Sequence, residues 1–190
     1  YTLLTRVIAA DRPDTTLELS VATDEDRTFF EAAFPEWCVH PQIEADLGAR
    51  MAHSFTQAFD QGASQVVLTG SDVPGLSIDI IRTAFTALRA GPRRKVGHQH
   101  GVIGPTTDGG YYLIGLRAPG ANLFHDIAWS TSTVLAQTEA LAQHSGVTLT
   151  RLQTLTDIDE LAEYQDWRGR LISLSRSINA GLAPVQWSET

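Results

Sequence analysis

The sequence predicts an α/β fold: a three-layer α/β/α sandwich on a mainly parallel sheet. Short β-rich segments alternate with longer stretches of helical spacing, which reads as a series of βα units. The segment Val66-Val67-Leu68-Thr69 is apolar almost throughout rather than alternating, the pattern of a strand covered on both faces. Two further strand-like segments, 101–105 and 111–116, flank an Asp-Gly turn and add one antiparallel insertion.

The 190 residues suffice for one core and are read as a single domain over 1–190. Net charge is −8, from 14 basic and 22 acidic residues. No basic stripe is present, so nucleic acid and anionic membrane are poor partners. A protein this acidic needs a metal or local basic groups if it handles phosphate. The one cysteine, Cys38, excludes an internal disulfide, fits a cytoplasmic, reducing setting and reads as a small buried residue. No apolar run suits a membrane span and no signal peptide is found. Oligomeric state is not readable.

Residues 1–10 carry apolar side chains at 3, 4, 7 and 8, which is helical spacing. Residues 15–21 read as a strand. Asp24-Glu25-Asp26 opens a helix to about Ala33, as acids suit a helix N-terminus. Residues 37–40 read as a short strand. Asp46 is placed to cap a helix with Leu47, Met51, Phe55, Ala58 and Phe59 on its apolar face and Gly62 at its end. After the Val66 strand, Ser77 caps a helix burying Ile80, Ile81, Ala84, Phe85 and Leu88, stopped at Gly91. Residues 92–101 are polar and basic and read as a surface connection, with His98 and His100 as loop residues rather than metal ligands. A helix over 131–143, a strand over 147–152 and a helix from Asp159 to about Asn179 complete the chain, with the last 30 or so residues a helix and tail beyond a motif-bearing core of about 15–160.

Five stretches carry chemistry. Ser71 and Asp72 follow the Val66 strand, and Pro74 turns the chain out of the sheet. Asp72 therefore stands at the carboxyl end of a strand, where open α/β sheets bind ligands. A carboxylate there suits a divalent metal; it also suits a plain turn. Asp108-Gly109-Gly110-Tyr111-Tyr112 combines glycines that permit close backbone approach with two aromatic hydroxyl groups, or is simply a hairpin turn. Asp46-Leu47-Gly48-Ala49-Arg50-Met51 opens a helix whose free N–H groups suit an anion. Gly48 removes a side chain there, and Arg50 meets a phosphate or pairs with Asp46. Asp157-Ile158-Asp159 puts two carboxylates on one face of an extended segment, or caps a helix. Trp129-Ser130-Thr131 lines a site mouth or caps the helix that follows. No Walker loop, dinucleotide glycine fingerprint or nucleophile elbow is present.

In this order and spacing, Asp46-Leu47-Gly48-x-Arg50-Met51, Gly70-Ser71-Asp72-x-Pro74, Gly104-Pro105-x-x-Asp108-Gly109-Gly110-Tyr111-Tyr112, Trp129-Ser130-Thr131 and Asp157-Ile158-Asp159 resemble a bacterial family. These are small, poorly characterised proteins assigned as glycosyltransferases of the GT-A, nucleotide-diphospho-sugar transferase type. That type is similar to the guanylyltransferases of molybdenum cofactor and phospholactate metabolism. The resemblance implies a GT-A fold, a nucleotide sugar or nucleotide, a small-molecule acceptor and a divalent metal, Mg²⁺ or Mn²⁺. It implies Asp72 and Asp108 in catalysis, with Asp72, Asp157 and Asp159 at the metal. Asp46, Leu47, Gly48, Arg50, Met51 and Ser71 would border the nucleotide. Gly109, Gly110, Tyr111, Tyr112, Trp129, Ser130 and Thr131 would face sugar or acceptor. It also implies an opening strand and a Pro-Gly-x-x-Lys-Thr-Arg-like phosphate loop, which this sequence lacks. Without that strand, the strands at Thr15 and Val66 are expected to carry unpaired edges.

Three functions follow for comparison. A metal-dependent glycosyl transferase leads, with the metal offsetting charge on the departing diphosphate. A nucleotidyltransferase would use the same metal at the α-phosphate of a nucleoside triphosphate. A non-catalytic nucleotide-binding protein fits the missing phosphate loop.

Overall fold

The computed structural model describes residues 16–35, 37–70, 73, 75–91 and 99–156. The expected helices over 1–10 and from Asp159, and the candidate residues Ser71, Asp72, Asp157 and Asp159, lie outside the described residues. The described elements are β1 (Glu18–Val21), α1 (Asp24–Ala33), β2 (Cys38–Pro41), α2 (Leu47–Asp60), β3 (Val66–Thr69), α3 (Ile78–Ala90), β4 (Gln99–Pro105), β5 (Tyr111–Leu116), a 3-10 turn (Ala121–Phe124), α4 (Val134–His144) and β6 (Val147–Arg151).

Capping side chains start the first three of these helices. Thr23 accepts from the Asp26 N–H, Asp46 from the Ala49 N–H at 2.7 Å, and Ser77 from the Ile80 N–H. Each satisfies a donor that the first helical turn leaves without an intrahelical partner. Gly62, at φ +95°, follows the end of α2 in a conformation that costs glycine nothing.

Two ladders form. β1 and β2 pair in parallel, Leu19 opposite Val39. The larger sheet has the order β3-β5-β4-β6; β5 is antiparallel to both neighbours and β6 parallel to β4. β3, β4 and β6 thus share one direction, and β5 is the antiparallel insertion that the Asp-Gly turn predicts. α3 covers one face through Ile80, Ile81, Ala84 and Leu88, which pack with Val102, Tyr112 and Leu113. α2, α4 and the 3-10 turn cover the other, where Met51, Phe55, Leu123, Phe124 and Ala142 pack with Ile114 and Leu116. The layers are therefore helix, sheet, helix.

Four expectations are corrected. β3 is not buried on both faces: Val66, Val67 and Leu68 are half-buried and Thr69 is exposed. The reason is position, since among the described residues β3 pairs with β5 alone. Cys38 is exposed rather than buried, because the burial in β2 falls on its neighbour Val39 and side chains alternate along a strand. Leu47 is exposed at 50%; it opens α2 a turn ahead of Met51 and reaches past the core. His100 is no loop residue but a buried position of β4.

Candidate functional site

Three separate segments meet at one end of the α2/α4 face: the N-terminus of α2, the 106–110 turn between β4 and β5, and the 125–133 loop before α4. Their junction is built by close packing. A Cβ on Gly48 would lie 3.0 Å from Cζ2 and 3.1 Å from Nε1 of Trp129, and inside contact distance of the Phe124 carbonyl oxygen. The space left by Gly48 is therefore filled first by the Phe124 carbonyl and then by the indole, and is not an opening for an anion. Met51, one turn on, lies 3.9 Å by its sulfur from the Tyr111 hydroxyl. The Tyr111 and Trp129 rings meet edge to face, centroids 6.5 Å apart, a favoured aromatic geometry.

Tyr111 reaches this face because of a bulge. Gly104 pairs with Leu113 but Pro105 pairs with Tyr111, so β5 carries one extra residue, Tyr112. A bulge reverses which side of the sheet the following side chains take, and Pro105, which has no N–H to give a ladder, is tolerated at such a place. Without it Tyr111 would share a face with Leu113 beneath α3. With it, Tyr111 joins Met51 and Trp129. Tyr112, 2% exposed, turns into the α3 core instead, stacks over Gly104 and donates to the Gln153 carbonyl at 3.1 Å. Burial pushes the hydroxyl pKa of both tyrosines up, so both remain protonated donors.

The 106–110 turn is held by its own aspartate. Asp108 Oδ1 accepts from the Thr106 hydroxyl at 2.5 Å and from the Gly110 N–H at 2.9 Å. The Thr106 bond above all holds its pKa below the ordinary carboxylate value, leaving Oδ2 as a charged, exposed acceptor. Gly109, at φ +95°, lies against the Ser132 backbone so closely that any Cβ would collide with its carbonyl. Its own carbonyl accepts from the Leu135 N–H at 2.9 Å. That bond caps α4, whose N-cap Thr133 makes no side-chain capping bond; neither Ser130 nor Thr131 occupies the cap. Ser130 sits at φ +61°, uncommon for a residue with a Cβ, and its hydroxyl has no partner among the described residues. The Thr131 hydroxyl is taken, donating to the Ala128 carbonyl at 2.7 Å.

Arg50 does not pair with Asp46. Asp46 caps the helix through Oδ1, while Arg50 Nη1 donates to the Gln42 side-chain oxygen at 3.1 Å and its buried Nε has no partner. Among the described residues no carboxylate neutralises Arg50.

The described residues hold no group of three His, Cys, Asp or Glu side chains able to take a metal. Asp108 Oδ2 is one open, hard oxygen of the kind Mg²⁺ or Mn²⁺ selects. The Gly70 N–H donates to the Tyr112 carbonyl at 2.9 Å, which ties the start of the segment leading to Asp72 to the same end of the sheet as the Asp108 turn.

Residues 4–131 match the family described as "Uncharacterized protein conserved in bacteria (DUF2064)". The chain belongs to that family. Among solved structures, the family member described here is similar to a putative nucleotide-diphospho-sugar transferase from Desulfovibrio desulfuricans G20. Identity is 28% over 82% of this chain and 67% of that chain, with a TM-score of 0.68. It is also similar in fold to glucosyl-3-phosphoglycerate synthase from Mycobacterium tuberculosis in complex with phosphoglyceric acid. There identity is 11%, coverage 95% of this chain and 76% of that chain, and the TM-score 0.53. No curated protein matches the sequence. The fold is thus of the GT-A, nucleotide-diphospho-sugar transferase type. Among the described residues no helix is long and apolar enough to cross a membrane.

Proposed function

We propose that this family member is a metal-dependent transferase that takes a sugar from a nucleotide diphosphate. The observation that carries the reading is Arg50: a guanidinium in the first turn of α2 with one hydrogen bond, from Nη1 to Gln42, and no counter-ion among the described residues. A cation so placed in a chain of net charge −8 is suited to a phosphate. The likeness to a nucleotide-diphospho-sugar transferase at 28% identity supports the same substrate class.

Asp46 occupies the N-cap, so the phosphate falls to the Arg50 fork, and the free oxygen of Asp46 is left to accept from a ribose hydroxyl. Trp129 and Tyr111 offer aromatic surface to a base or sugar, with the Ser130 hydroxyl and Asp108 Oδ2 as polar contacts. Asp72, Asp157 and Asp159 are the proposed metal-holding carboxylates, joined by Asp108 where it reaches. The bound metal would stabilise charge on the diphosphate as it leaves. The bond from the sugar's anomeric carbon to the diphosphate breaks with its electron pair going to the phosphate oxygen. The acceptor oxygen forms the new bond to the anomeric carbon and gives up its proton to a carboxylate base, for which Asp108 Oδ2 is the open candidate.

Calorimetry with uridine and guanosine diphosphate, with and without Mn²⁺, tests the reading. Asp72→Asn keeps the size of the side chain and removes its charge, so it should abolish metal-dependent binding without unfolding the protein. Nucleotide sugars should release nucleoside diphosphate. Release of pyrophosphate from a nucleoside triphosphate instead would make the protein a nucleotidyltransferase, and equal binding with and without metal would remove the metal.

A further inference from the structure

The loop that carries Trp129 and Ser130 is closed by a ring of hydrogen bonds whose direction is set by its members. Thr131 Oγ1 lies 2.7 Å from the Ala128 carbonyl, which only accepts, so the Thr131 proton is committed there. Thr133 Oγ1, 2.8 Å from Thr131 Oγ1, must then donate to it. Thr133 in turn accepts from Gln137 Nε2 at 2.9 Å. The ring closes where the Ala128 N–H donates to Gln137 Oε1 at 2.8 Å. Each hydroxyl gives one bond, Thr131 Oγ1 also accepts from the Thr133 backbone N–H at 3.4 Å, and both ends of the Gln137 amide are used. Bonds aligned head to tail in this way reinforce one another. Gln137 lies at the end of the first turn of α4, a rigid element, whereas residues 126–133 have no regular structure and include Asp126 and Ser130 at positive φ.

We propose that Gln137 is the positioning residue of the candidate site: through Thr133, Thr131 and Ala128 it holds the Trp129 indole against Gly48 and Tyr111. Gln137 touches no substrate. Its consequence for binding rests on the nucleotide-sugar reading; its effect on Trp129 does not. The amide is required in kind, because a carboxylate at 137 has no proton for Thr133 and would break the ring there. Thr133 needs only its hydroxyl.

Gln137→Met, Thr133→Val and Thr133→Ser test this. Each is made in the full chain and again with Trp129→Phe, so that the emission of Trp37, Trp167 and Trp187 can be subtracted. Acrylamide quenching of Trp129 should rise in Gln137→Met and in Thr133→Val and stay at the parent value in Thr133→Ser. The double variant Gln137→Met/Thr133→Val should loosen Trp129 by less than the sum of the two single ones, since both break the Gln137–Thr133 bond. With Mn²⁺ present, the Kd for uridine or guanosine diphosphate should rise roughly tenfold in the loosened variants, the size of one hydrogen bond. Parent-like quenching in both Gln137→Met and Thr133→Val overturns the proposal, as does additive loosening in the double variant. Should Gln137→Met fail to fold, Thr133→Val decides alone, because valine keeps the shape and Thr133 is exposed. A looser Trp129 in a protein whose parent binds neither nucleotide supports the positioning role and overturns the nucleotide reading. Parent-like binding by the loosened variants overturns the link between the two.

Discussion

Gly48 and Trp129 are packed so that the missing side chain of one is the seat of the other: a Cβ on Gly48 would stand 3.0 Å from the indole Cζ2. Elsewhere in a helix, Gly→Ala gains about 0.8–1 kcal/mol of propensity. Here the methyl also meets the Phe124 carbonyl, and overpacking costs about 1–3 kcal/mol. Gly48→Ala should therefore lower stability by up to about 2 kcal/mol in a denaturant melt. A stabilised variant would show that the Phe124 backbone and the indole both give way.

Arg50→Ala separates binding from folding. The variant loses one partly exposed hydrogen bond to Gln42, a stability cost of about 1 kcal/mol. If Arg50 meets a phosphate, affinity for uridine or guanosine diphosphate should fall by about 1.5–3 kcal/mol, the range for charge-assisted bonds. Calorimetry that finds unchanged affinity would take Arg50 out of the site.

The two glycines of the β4–β5 turn should respond differently. Gly109 is at positive φ and packed on Ser132, so Gly109→Ala carries a conformational cost of about 1–2 kcal/mol and a steric one of about 1–3 kcal/mol. Gly110 has no positive φ, and its Cβ would meet Thr106 Oγ1 at 3.0 Å, so Gly110→Ala should cost no more than about 1 kcal/mol. Thermal melts giving the reverse order would refute the close packing of Gly109 on Ser132.

Stability should fall in mild acid because of His100. Burial lowers its pKa, against the pull of the Ala87 carbonyl and with the help of the Arg117 charge, and its Nδ1 has no partner. The fold therefore favours the neutral ring, and the unfolded chain binds the proton more readily. That stability is complete above the unfolded histidine pKa of about 6.5 and is lost as pH drops from there toward the lower folded value. Melts from pH 8 to pH 5 should show this step in the parent and a shallower one in His100→Asn; identical slopes would assign the step to other groups.

Much of the architecture was legible because it is written locally. The caps Asp46 and Ser77, the apolar face of α3 and the Asp-Gly turn each depend on residues within a few positions, where spacing and propensity act. Errors fell where a neighbour distant in sequence decides. Leu47 fits the apolar stripe of α2 but stands beyond the core it would need. His100 lies next to a polar stretch and still enters a strand, because β6 pairs with it. Gly48 suits an opening for an anion by its sequence, but the Phe124 carbonyl and Trp129 fill that space.

The sequence by itself determined the order of the described helices and strands, the α/β class, the antiparallel β5 insertion and three segments that meet at the candidate site, since periodicity and turn chemistry are properties of neighbouring residues. Only the tertiary structure decided that Tyr111 and not Tyr112 faces that site, that Gly109 caps α4, and that Gln137 closes the ring beneath Trp129. Those depend on the extra residue in β5 opposite Gly104 and Pro105, on a backbone approach to Ser132 and on hydroxyls whose partners are known only once the loop has folded back on α4. Side-chain direction along a strand is a count from its pairing, and pairing is not local.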